Sequence, residues 1–118
     1  MTHNLIDRLR DERVSTLTIG HMTFMIKRPT DIDMAKLHTE GKTLYDVAEI
    51  SVIGWEGVKE SDIISDGSDA LVKFDEGLFR EWIKDQYDLW EPIRNKAIEA
   101  YEKHIEKRED AKKNSSTG

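Results

Sequence analysis

The chain has 118 residues, 36% of them charged and 37% hydrophobic, and a formal net charge of −6. That suits one water-soluble domain with a single modest core, and no apolar run approaches the roughly 18 residues of a membrane-spanning helix. There is no cysteine, which excludes disulfide scaffolds, thiol catalysis and cysteine zinc sites and points to a reducing cytoplasm.

Asn4 to Arg10 reads as a short helical lead-in with Leu5, Ile6 and Leu9 on one side. Its charges, Asp7, Arg8 and Arg10, stand where a signal peptide needs apolar residues. Val14 to Ile19 and Met22 to Lys27 both alternate, and Gly20-His21 separates them, so the spacing predicts a β-hairpin. Met22, Phe24 and Ile26 share one face, which must lie against the helices later in the chain.

Pro29 ends the second strand. Thr30 and Asp33 form a capping box for a helix carrying Ile32, Met34, Ala35 and Leu37, with Gly41 as its stop. Thr43 or its neighbour caps a second helix, whose stripe of Leu44, Val47, Ala48 and Ser51 runs to about Ile53. Gly54-Trp55-Glu56-Gly57-Val58 breaks the pattern, and the chain reads as loop to Lys73.

Asp75 caps a strong helix with Leu78, Phe79, Trp82 and Ile83 on a wide inner face. Asp88 caps the last helix, with Pro92 in its first turn. Ile93, Ala97, Ile98, Tyr101 and Ile105 mark the inner face of that helix. Glu99–Lys103 and Glu109–Lys113 pairs lace its outer face. The expected fold is therefore α+β and mostly helical, an N-terminal β-hairpin packed on about four helices. Residues 1–113 form a single domain and residues 114–118 a disordered tail.

The charge is unevenly spread. Residues 31–91 hold 16 acidic and six basic side chains, whereas residues 1–30 hold three and five, and residues 92–118 five and seven. An acidic body repels phosphate, so nucleic-acid binding lacks its main driving term. The same acids keep a small domain soluble.

No catalytic constellation emerges. His3, His21, His38 and His104 share no metal-ligand spacing. Asp62 to Lys73 has the Asp66-Gly67 of a calcium loop, but Ile64 and Lys73 occupy positions that must supply oxygen. No glycine-rich phosphate loop is present. Paired acids such as Asp31/Asp33 and Asp66/Asp69 suit caps and turns. A helix-turn-helix near Leu44 to Ile63 would set Glu56, Glu60 and Asp62 against DNA, the wrong charge for a groove. The expectation is a protein with no catalytic residues, metal or cofactor, and with neither nucleic acid nor membrane as partner.

Three tryptophans remain. Trp82 belongs to a core stripe and Trp90 to the junction of two helices. Trp55 has two readings: an anchor that folds its loop onto the helices, or a partner contact flanked by Ile53 and Val58.

The string Phe24-Met25-Ile26-Lys27-Arg28-Pro29-Thr30 is followed by an acid-rich helix, then by Val52-Ile53-Gly54-Trp55-Glu56-Gly57-Val58. Val72-Lys73-Phe74-Asp75 then leads into Phe79-Arg80-Glu81-Trp82, and a long helix ends in Lys112-Lys113-Asn114-Ser115. In order and spacing, over about residues 17–116, this resembles the small tail assembly chaperones of long-tailed bacteriophages and prophages. The resemblance implies a non-enzymatic protein of the host cytoplasm. Its client would be the tape measure protein, kept soluble until tail tube subunits polymerise around it. It also implies a longer form made by ribosomal frameshifting, which would meet the tail tube protein. The Lys112-Lys113-Asn114 run suits either a slippery codon stretch or a solubilising tail. Self-association stays open. So do two other classes: a head–tail or baseplate adaptor of a phage, and a small regulatory binding protein.

Overall fold

Asn4 opens the computed structural model, which describes residues 4–116. The Asn4 side chain accepts the Asp7 N–H at 2.8 Å and starts α1 (Leu5–Glu12). The apolar side of α1 faces outward, with Leu5 72%, Ile6 59% and Leu9 54% exposed.

β1 (Val14–Ile19) and β2 (Met22–Lys27) form the expected antiparallel hairpin, closed by the Ile19–Met22 pair. Gly20 at φ +61 supplies the positive φ that a type II′ turn needs at its first central residue. Phe24 and Ile26 point inward and are fully buried. On the outer face the Thr18 and Thr23 hydroxyls lie 3.1 Å apart.

The expected capping box closes. Asp33 N–H donates to Thr30 Oγ1 and Thr30 N–H to Asp33 Oδ2, opening α2 (Asp31–Glu40). Thr43 and Asp46 do the same for α3 (Leu44–Ser51). Gly41 stops α2 as expected.

The main correction concerns the segment after α3. The sequence suggests helix to about Ile53 and then a break. Instead α3 ends at Ser51, and β3 (Val52–Glu56) pairs antiparallel with β2, giving a sheet ordered β1-β2-β3. Phe24 pairs with Trp55, Met25 with Gly54 and Ile26 with Val52, so Ile53 is left over as a bulge. The extra residue turns both Val52 and Trp55 inward. The buried series Ala48, Val52, Trp55, Val58 therefore runs at intervals of three and four, which imitates a helix.

Within the segment expected as loop, α4 (Glu60–Ile63) forms one turn. Val72 N–H donates to Val58 O, and Glu60 N–H to Ala70 O, so the segment doubles back on itself. Asp75 caps α5 (Glu76–Ile83) as expected, accepting the Leu78 N–H at 2.8 Å.

α6 (Tyr87–Ser116) begins one residue before its expected cap, so Asp88 lies inside its first turn. Pro92 falls beyond that turn and leaves the Asp88 carbonyl without its i+4 donor. The helix reaches Ser116, three residues into the segment expected as a tail. Thr117 and Gly118 lie outside the described residues. Glu99 pairs with Lys103 at 3.1 Å, while Glu109 reaches Lys112 at 3.8 Å.

The fold is α+β and mostly helical, with the hairpin packed on helices. Its core joins the inner face of the sheet to Phe79, Trp82 and Ile83 of α5 and to Leu89, Ile93 and Ala97 of α6. Val47 and Ala48 carry α3 onto α6. Phe24 stacks on Trp82 with ring centroids 6.3 Å apart. Among the described residues no helix is long and apolar enough to cross a membrane.

Candidate binding groove

The three tryptophans act as staples. Each indole N–H donates to a main-chain carbonyl: Trp55 to Val72 at 2.8 Å, Trp82 to Asp62 at 3.1 Å and Trp90 to Ile83 at 2.7 Å. Each ring is thereby packed inward with its polar atom satisfied.

This decides between the two readings of Trp55. The residue is 6% exposed and meets Phe74, Phe79 and Trp82 edge-on, so it anchors the core. Val58 is fully buried. Ile53, at the bulge, is 45% exposed on the other side of the strand. The expected patch of Trp55, Ile53 and Val58 is therefore not one surface, because the bulge sends its members to opposite faces. Only Ile53 is open to a partner.

Ile53 contributes instead to a groove. Its larger part, about 520 Å³, lies between β3, the end of α3 and the start of α5, with Ile50, Ile53 and Phe74 as its apolar lining. A second part, about 230 Å³, runs between α2 and α3 past Leu37 and Ile50. The two adjoin, sharing Asp33, Glu49 and Ile50 in their linings.

Capping fixes the walls. Thr30 holds the first turn of α2, which carries Asp33, and Thr43 that of α3, which carries Asp46. The Thr43 N–H and hydroxyl both donate to Asp46 and hold its carboxyl below the usual range. The Tyr45 hydroxyl donates to Glu49 Oε2 at 2.6 Å, which pushes the phenol pKa up to about 12 and fixes Glu49 on the rim. Arg80 pairs with Glu76 at 2.7 Å across the far end. The rims thus carry both signs: Lys27, Lys36 and Arg80 against Asp33, Glu49 and Glu76.

Of these residues the sequence places Leu37 in an apolar set but does not mark Ile50 or Phe74 as surface. A signal exists for Ile50, which falls off the Leu44–Val47–Ala48–Ser51 stripe and stays 42% exposed.

The histidines stay apart. His21 Nε2 lies 2.8 Å from Asp62, and His104 Nδ1 lies 3.2 Å from Arg28. Burial pushes the Asp62 carboxyl up, but the Lys59 N–H and His21 donors outweigh it and hold it low. His3 lies outside the described residues. Among those described, no three potential metal ligands gather. The groove offers apolar contact framed by charge, which is an arrangement for binding. No protein-family model, curated protein or solved structure matches the chain.

Proposed function

We propose that this chain is a non-catalytic binding protein whose groove holds an amphipathic helical segment, and that its client is the tape measure protein of a long-tailed phage or prophage. The observation that carries this reading is that Leu37, Ile50, Ile53 and Phe74 line two adjoining pockets together with side chains of both charges. Helix-in-groove binding uses i, i+3, i+4 anchors on such a lining. A tape measure, a long helical chain with apolar stretches, repeats those anchors many times. The resemblance of the Val52–Val58 and Val72–Trp82 strings to tail assembly chaperones supports the choice of client.

In the host cytoplasm many weak contacts of this kind keep the client soluble until the tube closes over it. A longer frameshifted form would add a contact to the tail tube protein. Co-expression tests the reading. The soluble fraction of the tape measure protein should rise several-fold with this chain present, and equal solubility with and without it overturns the assignment.

A further inference from the structure

Away from the groove, the junction between α1 and β1 meets α6 at a second cleft of about 510 Å³. One stripe of α6, Ala100, Lys103, His104 and Lys107, faces Arg13, Ser15 and Arg28 across it. Ala100 is small and leaves the cleft its depth.

The Arg28 guanidinium is half-buried, and its hydrogen bonds go to neutral acceptors: Pro29 O at 3.1 Å and His104 Nδ1 at 3.2 Å. Among the described residues two of its five N–H donors are used. Asp31 bears on it electrostatically but is engaged by Tyr101 and Arg108, both at 2.7 Å. Because His104 Nδ1 accepts from Arg28, its Nε2 carries the hydrogen and is a further donor. The Ser15 hydroxyl is buried with no hydrogen-bond partner among the described residues. Burial and the neighbouring Arg13 both act against the Arg28 charge.

Asp11 and Glu12 also line the cleft. Against them stand Arg13, Arg28, Lys103 and Lys107, and among the described residues only Lys103 of these cations has a carboxylate partner, Glu99. Asp31 and Glu12 favour the Arg28 charge from a distance without bonding to it, and an incoming anion in direct contact offsets the cost of its burial further. Leu9 and Ile32, 54% and 68% exposed, flank the adjoining cleft beside Arg13 and Arg28.

We propose that this cleft binds the carboxylates of an acidic protein segment, with Arg28, Arg13, Lys107 and the Ser15 hydroxyl as donors and Leu9 and Ile32 receiving neighbouring apolar side chains. A protein segment fits better than a nucleic acid: the body of the chain, residues 31–91, holds 16 acids against six bases and repels a phosphate backbone, while the cleft is short and flanked by apolar side chains. The site is independent of the groove and of its client.

The test uses the full chain and a short peptide of alternating Glu and Leu, titrated by calorimetry at low salt. Its controls are the same peptide with Gln for Glu, inorganic phosphate, and duplex DNA of equal charge. The Glu peptide should bind, and R13Q/K107Q should weaken it at least about tenfold, as expected for loss of charge-assisted bonds. Ser15→Ala, which removes only a buried hydroxyl that has no partner among the described residues, should weaken it about threefold with melting no lower than that of wild type. Four results overturn the proposal: no binding of the Glu peptide, equal binding of the Gln peptide, unchanged affinity in R13Q/K107Q, or phosphate or DNA binding as tightly as the Glu peptide.

Discussion

The indole N–H of Trp55 donates to the carbonyl of Val72 at 2.8 Å, so a strand of the sheet holds the returning segment in place through a side chain. Beside it, Val72 N–H donates to Val58 O at 2.8 Å. Both main-chain polar groups of Val72 thus help to hold the segment between α4 and α5, beside the Glu60–Ala70 bond, and a ring in the core supplies one of the two.

Replacing that ring should be costly. Trp55→Ala should lower unfolding free energy by about 3–5 kcal/mol, as expected for a buried tryptophan. Trp55→Phe keeps an aromatic in place but orphans the Val72 carbonyl, and should cost about 1–3 kcal/mol. Urea unfolding of both variants checks the order. Client affinity per folded molecule should be unchanged in either.

Gly57 has φ +76, and a Cβ there would run into the His21 carbonyl at the hairpin turn. Gly57→Ala should therefore destabilise by more than the roughly 1–2 kcal/mol of left-handed backbone strain alone. The matching Gly54→Ala meets only the flexible Met25 side chain and should cost less. Thermal melts of the two variants make the comparison.

Burial first, then Arg28 and Arg108, hold the His104 pKa below its ordinary 6.5, while Asp31 acts the other way. Neutral His104 is thus favoured by folding, and the unfolded chain takes up its proton first. This contribution to stability is present above about pH 6.5 and is lost as pH falls through the folded pKa. His104→Gln keeps an acceptor for Arg28 but cannot titrate. Its melting temperature should vary less than that of wild type between pH 7.5 and 5, scanned in about half-unit steps.

The groove makes its own prediction. Ile50→Asp replaces a 42% exposed residue but sets a negative charge in the last turn of α3 beside Glu49, so stability should fall by about 1–2 kcal/mol. Client binding should fall about tenfold or more, since a charge would sit on the apolar lining. Pull-down of the tape measure protein beside a urea melt separates the two effects.

Where the sequence was legible, a local rule and the tertiary fold agreed. Thr30/Asp33 and Asp75 each mark a helix start that needs only neighbours. Gly20 and the alternation of Leu17, Phe24 and Ile26 mark the hairpin in the same way. β3 was hidden because its bulge at Ile53 breaks the period of two that identifies a strand. Trp55 looked available because it sits beside glycines, and nothing local says that Phe74, Phe79 and Trp82 will surround it. The groove is less legible still, since Leu37, Ile50 and Phe74 come together only when three helices and a strand are in place.

The stacking of Phe24 on Trp82 has a consequence for synthesis. The hairpin is made early and completes itself from adjacent residues, but the rings that cover it belong to α5, and Ile93 and Ala97 arrive later still. A nascent chain that stops short of Trp82 already holds β3 beside the hairpin, but the inner face of that sheet still lacks Trp82 and Ile83 of α5 and all of α6 as its lid. Folding on the ribosome must therefore wait for the C-terminal third, and until then Phe24 and Ile26 stand open to the cell's general chaperones.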